Sequence, residues 1–304
     1  MKYSLLEYFL RLAARYPTSW ISLTASCLLA ATLLATLALW SGTVTFVPAL
    51  HSLPQSESGA APEGGGSPAP IEDTAPLPQT KVPNLAGLAI VIDDLGENMQ
   101  AVHALLDLRI PIAFAIWPHA RLVRETALAA HAAGCTVLIH QPMEAFRANA
   151  KPGPDALRVG MPRERMEAIF RQSLARVPHA EGLNNHMGSR FTSQAEDVRL
   201  FCEIMADSGL FVLDSVTHPA SVLYEEARAA GIHAARRDIF LDDEPGKAYV
   251  LARLHEATRL ALHGKQVIVI GHPRTDTLAA LREWNSTRDP ELRLLSLRDC
   301  LTPP

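Results

Sequence analysis

Cysteine is scarce in this chain: 4 residues among 304, with no Cys-x-x-Cys pair. Cys27 lies in an apolar stretch, and Cys135, Cys202 and Cys300 are widely separated. That spacing argues against a thiolate metal site or a disulfide framework, and leaves room for at most one disulfide. Basic charge is not in excess either. Lys and Arg number 28 against 32 Asp and Glu, a formal net charge of −4. Without a basic footprint, no nucleic acid is expected as a partner. The Gly-x-Gly-x-x-Gly and P-loop signatures of the nucleotide-binding open sheets are also absent.

Charge is missing locally as well. Residues 20–40 carry none, with Trp20 and Trp40 at the two ends. That length spans the hydrocarbon core of a bilayer as a helix. The tryptophans fit an aromatic belt, and Lys2, Arg11 and Arg15 ahead of them, against Glu7 alone, place residues 1–19 in the cytoplasm. The competing reading is a cleaved signal peptide followed by secretion. Its apolar core is usually shorter, and no convincing small-x-small site follows Trp40. The expectation is therefore an uncleaved single-pass anchor in the inner membrane, with the folded part in the periplasm. Residues 48–83 are rich in Pro, Gly, Ser, Ala and Glu. Such a stretch buries too little apolar surface to offset its ordering entropy, so it reads as a disordered tether.

From 84 to 304, strand-like apolar runs alternate with helix-like segments. Strands are expected near 88–92, 112–116, 136–139, 182–185, 210–213, 266–270 and 292–297, with 232–235 and 238–241 forming two strands or one broken strand. Seven or eight strand–helix units argue for an α/β fold with a parallel sheet. An irregular (β/α) barrel, complete or short of a unit, fits better than an open sheet.

The ends of these runs carry the chemistry. The first, an uninterrupted apolar stretch typical of a strand buried on both faces, runs into Asp93 and Asp94. A single Asp there reads equally well as a helix N-cap. Two adjacent carboxylates repel and are costly to bury without a cation between them, which favours a metal or acid–base site. Later runs end in His140, His186, Asp214, Asp242-Asp243 and Gly271-His272. Five carboxylates and three histidines thus fall at the C-terminal ends of six strands, which share one face in a parallel barrel. One Asp and two His with an open position make a mononuclear site for zinc or a similar divalent ion. A second carboxylate can take a proton from water, and a further His can protonate a leaving group. The implied chemistry is hydrolysis of an amide or ester.

Five stretches in order resemble the divergent polysaccharide deacetylase family, bacterial envelope proteins related to the family 4 carbohydrate esterases. They are Ile92-Asp93-Asp94, His140-Gln141-Pro142-Met143-Glu144, Asn184-Asn185-His186-Met187-Gly188-Ser189-Arg190-Phe191-Thr192, Phe211-Val212-Leu213-Asp214-Ser215 and Gly271-His272-Pro273-Arg274. The resemblance implies an irregular barrel of seven or eight units of the polysaccharide deacetylase type, with Asp93 as base, Asp94 and His140 as metal ligands and His272 as general acid. It departs from the related deacetylases at the second histidine of their His-x-x-x-His motif, where this chain has Glu144, and in lacking their Arg-x-Pro-aromatic motif. His186 is then the expected third ligand, with Glu144 its rival.

The function so implied is a metal-dependent deacetylase, most naturally using zinc, that acts on an N-acetylated envelope glycan such as peptidoglycan. Arg190, Asp214 and Trp117 are candidate wall residues for the substrate. A structural salt bridge is the other reading for Arg190 and Asp214, and core packing the other reading for Trp117. Two further functions fit the same residues: a glycan-binding or protein-recruiting module on an inactive scaffold, and an amidase cutting peptide cross-bridges.

Overall fold

The computed structural model describes residues 85–304. The expected cytoplasmic segment 1–19, membrane span 20–40 and tether 48–83 lie outside the described residues. Among the described residues, no helix is long and apolar enough to cross a membrane. Cys135, Cys202 and Cys300 are free thiols, and burial pushes Cys202 and Cys300 up to about 12.

The alternation predicted from the sequence is observed. In order come β1 (Gly87–Leu95), α1 (Met99–Leu106), β2 (Ile112–Ile116), α2 (Val123–Ala132), β3 (Thr136–Met143) and α3 (Arg163–Arg176). They are followed by β4 (Gly182–Met187), α4 (Ala195–Met205), β5 (Phe211–Asp214), α5 (Leu223–Ala229) and the short β6 (Ala234–Arg236) and β7 (Ile239–Phe240). The last elements are α6 (Lys247–Leu262), β8 (Gln266–Gly271) and α7 (Thr275–Thr287). All eight strands are parallel, in the order β6-β5-β4-β3-β2-β1-β8-β7.

The sheet is curled, and its ladder differs from that of the expected barrel. The end strands β6 and β7 are joined by two residues of chain but share no pairing. Arg237 N–H still donates to Asp214 O, while the next residue, Asp238, donates to Ile268 O (both 2.9 Å). One strand, broken at this step, serves β5 with its first part and β8 with its second.

Period-2 alternation sorts the sheet into two faces. Leu88, Ile90 and Ile92 of β1 pack with helix residues such as Val102, Leu254 and Trp284. Ala89 and Val91 turn the other way, to meet Ala113, Ala115, Leu138, Leu213 and Ile270 from neighbouring strands. This inner face holds alanines where the curled strands converge. Leu295, Leu297 and Cys300 join it from the C-terminal segment. That segment corrects the strand expected at 292–297. Leu294 makes a single parallel bridge with Leu88, and the chain then turns into a 3-10 helix at Leu297–Cys300. The reason lies in β1, which pairs with β8 from Gly87 but with β2 only from Ile90. One free position at Leu88 cannot support a ninth strand.

Gly182 of β4 stands opposite Phe211 of β5, and a Cβ there would lie 2.5 Å from the Phe211 ring. Gly182→Ala should therefore destabilise the domain by about 1–3 kcal/mol through overpacking, read as a lower midpoint in chemical unfolding. An unchanged midpoint would mean that the inner face is not close-packed at this level.

Candidate metal and acid–base centre

The same alternation that sends Ala89 and Val91 inward carries Asp93 inward at the end of β1. It does likewise for Trp117 after β2, His140 on β3, Asn184 and His186 on β4, Ser215 after β5, Asp242 after β7 and His272 after β8. Register brings them together across the ladders: His140 pairs with Asn184, and Ile92, just before Asp93, pairs with Gly271, just before His272.

Asp94 breaks the alternation. The β1–β2 register shifts between Ile92 and Leu95, and Asp94 has a left-handed backbone at φ 54°. This bulge lets both carboxylates serve one site, where a regular strand would send them to opposite faces. An aspartate tolerates that conformation better than most residues. Asp93 is buried, whereas the Asp94 side chain is 42% exposed.

Asp94 Oδ1 lies 3.1 Å from His140 Nε2 and 2.9 Å from His186 Nδ1, and those two nitrogens are 3.1 Å apart. One donor atom from each of Asp94, His140 and His186 falls within 4.8 Å of the others. Two imidazole nitrogens and a carboxylate oxygen converging on one point need a proton or a cation between them, and this borderline N/O set suits a divalent transition metal. Asn184 Oδ1 lies 2.8 Å from His140 Nδ1. Accepting the Nδ1 proton leaves Nε2 as the free nitrogen, the arrangement that orients a ligating histidine. Burial works to raise the Asp94 carboxyl, but hydrogen bonds from His140 and His186 hold it well below the usual range. Burial likewise opposes the charge on His140, which Asp93 and Asp94 nevertheless raise to about 9.

The Asn184 amide also donates to Asp93 Oδ1 (2.8 Å) and Ser215 Oγ (3.2 Å). Burial raises Asp93 above the ordinary carboxylate value, against the pull of His140 and His272. Opposite it, His272 Nδ1 meets Asp242 Oδ1 at 2.8 Å, and His272 Nε2 lies 3.9 Å from Asp94 Oδ2. Asp242 is buried and also accepts from His272 N–H and Thr277 Oγ1. Burial opposes the imidazolium of His272, yet the Asp242 bond raises it above its ordinary value.

Glu144 is not in the cluster. Its Oε2 accepts from Val159 N–H and its Oε1 from Arg190, so it braces loops and does not compete with His186. Arg190 is thereby placed in a salt bridge at the rim. Asp214 is turned away from the site. It is fully buried on the outer face and accepts from Val216 N–H and Ser221 Oγ, which removes it from any substrate wall. Trp117 stands beside His186, with ring centroids 6.5 Å apart, and packs closely under Gly153. Asn184, inside the stretch around His186, and Asp242, one of the strand-end carboxylates, orient His140, Asp93 and His272 through contacts that the sequence alone does not assign.

Residues 90–301 match the divergent polysaccharide deacetylase family. The chain belongs to that family. It is 33% identical over 223 residues to "Uncharacterized protein YibQ" of Escherichia coli strain K12, covering 73% of this chain and 70% of that protein. It is 32% identical over 210 residues to an uncharacterized protein of Haemophilus influenzae Rd, covering 69% and 75%. Among solved structures, the uncharacterized protein ATU2773 of Agrobacterium tumefaciens C58 shares the fold. Its TM-score is 0.61 at 24% identity, over 65% of this chain and 81% of that one. Family membership and the Asp94–His140–His186 cluster agree in kind: a deacetylase-like domain with a candidate metal site.

Metal analysis tests the cluster. About one ion per chain is expected, retained in Glu144→Ala and lost in Asp94→Ala, His140→Ala and His186→Ala. Asn184→Leu should weaken metal affinity by about 10–100-fold without abolishing it. Loss of the ion in Glu144→Ala alone would assign the third ligand to Glu144.

Proposed function

We propose that this domain is a metal-dependent hydrolase that removes N-acetyl groups from an envelope polysaccharide such as peptidoglycan. The observation that carries the reading is the meeting, at one end of the sheet, of three parts: the Asp94–His140–His186 donor set, the buried Asp93 carboxyl and the Asp242-backed His272. A divalent ion, zinc being the natural choice for this donor set, would when bound polarise the acetamide carbonyl and make water a better nucleophile.

The remaining steps belong to the chain. Asp93, steered by the Asn184 amide, takes the proton of the attacking water, and its raised pKa makes it a stronger base. His272 keeps Nδ1–H on Asp242, which leaves Nε2 to deliver a proton to the departing nitrogen. The C–N bond breaks as that proton arrives. Acetate and a free amine on the sugar are the products. A glycan-binding or recruiting module would need neither an aligned base nor a backed histidine, so the geometry favours the enzyme. An amidase acting on peptide cross-bridges would use the same groups and differs only in its products.

We infer that the domain works in the periplasm on a single-pass anchor at 20–40. This rests on the uncharged span and the cations before it. The described domain starts at the N-terminal end of β1, and Asp93 and Asp94 lie at its other end.

Acetate release from N-acetylated glycan is the test. Asp93→Asn should lower kcat by about 10²–10⁴-fold with the ion retained, and His272→Ala by a similar factor. In Asp242→Asn the basic limb of the pH–rate profile should move to lower pH. The acid form of His272 is lost as pH rises through its pKa, and Asp242 is what raises that pKa. No acetate from the metal-loaded protein on any N-acetylated glycan would sink the hydrolase reading.

A further inference from the structure

The rim of the catalytic face carries a second feature. The segment after β3 and the ends of β4 and β5 enclose a groove of ≈ 420 Å³, lined by Ala145, Arg147, Asn149, Met187, Ser189 and Thr217. Met187 directly follows His186 in the chain, and its carbonyl accepts from Thr217 Oγ1 at 2.8 Å. The segment is held in place: Phe146 N–H donates to Ser189 Oγ (3.0 Å), and Glu144 O accepts from Arg190 and Phe191 N–H.

Two side chains on this fixed segment lack what they need. Phe146, flanked in the chain by the lining residues Ala145 and Arg147, is 53% exposed, more than any other large apolar side chain among the described residues, and its ring lies 5.1 Å from that of His218. Arg147 is exposed, and among the described residues no carboxylate pairs with it. Glu144 pairs with Arg190 and Asp155 with Arg165. Asn149, Ser189 and Thr217 add neutral hydrogen-bonding groups. A flat apolar ring, neutral polar groups and an unpaired guanidinium answer the three surfaces of an acidic sugar. The ring takes the C–H face of a pyranose, the amide and hydroxyls take its hydroxyls, and the guanidinium takes a carboxylate in a two-pronged pair.

We propose that this groove is a subsite for a carboxylate-bearing pyranose, next to the sugar whose N-acetyl group is removed. The substrate is then an acidic N-acetylated glycan in preference to a neutral one. This deepens the deacetylase reading and rests on it for the orientation of the chain.

Binding to the full-length Asp93→Asn protein, measured calorimetrically, tests the subsite without turnover. The probes are chitotetraose, which is neutral, and a peptide-free tetrasaccharide of alternating N-acetylglucosamine and N-acetylmuramic acid. The acidic oligomer should bind about five- to tenfold more tightly. A further Arg147→Gln substitution should erase that difference, and Phe146→Ala should weaken both ligands. Both residues are exposed, so neither change threatens the fold. Equal binding of the two oligomers, or a preference that survives Arg147→Gln, would overturn the proposal. Acetate release by the wild-type chain is scored separately. Selective binding without release removes the hydrolase reading alone, and release without selectivity removes the subsite alone.

Discussion

Two carboxylates side by side at the end of a buried strand repel each other, and the centre is arranged around that cost. The bulge after Ile92 separates the pair by environment. Asp93 goes into the interior, where burial raises its pKa and an amide donor steadies it. Asp94, in a left-handed conformation, stays half-exposed with two imidazoles on one oxygen. Adjacent residues of the same type thereby acquire opposite tendencies, Asp93 raised by burial and Asp94 lowered by its hydrogen bonds from His140 and His186. A regular strand would have lost one of them to the helix side of the sheet.

A buried polar group without a partner costs about 1–3 kcal/mol, so the inner end of the sheet requires a connected network. Asn184 supplies the central link because an amide offers both a donor and an acceptor. Its oxygen faces His140 while its nitrogen reaches Asp93 and Ser215. A carboxylate at 184 would add a third negative charge beside the pair, and an apolar residue would leave both neighbours unmatched. Asp242 does similar work across the site, since it accepts from the backbone and the ring of His272 and from Thr277. These two residues make the orientation of Asp93, His140 and His272 a property of the sheet itself.

That division explains what the sequence could reveal. Strand ends carrying His140, His186, His272 and the aspartate pair stand out because ionisable residues rarely follow buried apolar runs. Asn184 does not stand out, and Asp242 stands out only as one more strand-end carboxylate, since the importance of both lies in what they touch. Asp214 was open to rejection from the sequence. It shares the parity of Val212, which packs on the helix side, while Ser215 shares that of Phe211 and Leu213 on the inner face. Alternation along one strand thus separates a site residue from a structural one when both end the same run. The 292–297 segment marks the limit of periodicity as a guide. It alternates like a strand, yet pairing needs a free edge, and β1 offers only Leu88.

Glu144 shows where chemistry gives way to recognition. Its carboxylate holds Val159 and Arg190, and its carbonyl holds the backbone of Arg190 and Phe191. His186 on β4 completes the cluster with Asp94 and His140, while the residue after β3 braces loops. The segment it anchors then presents Phe146 and Arg147 to the rim. This bracing ties the loop that carries Phe146 and Arg147 to the end of the strand that carries His186, so that the rim and the cluster share one set of hydrogen bonds.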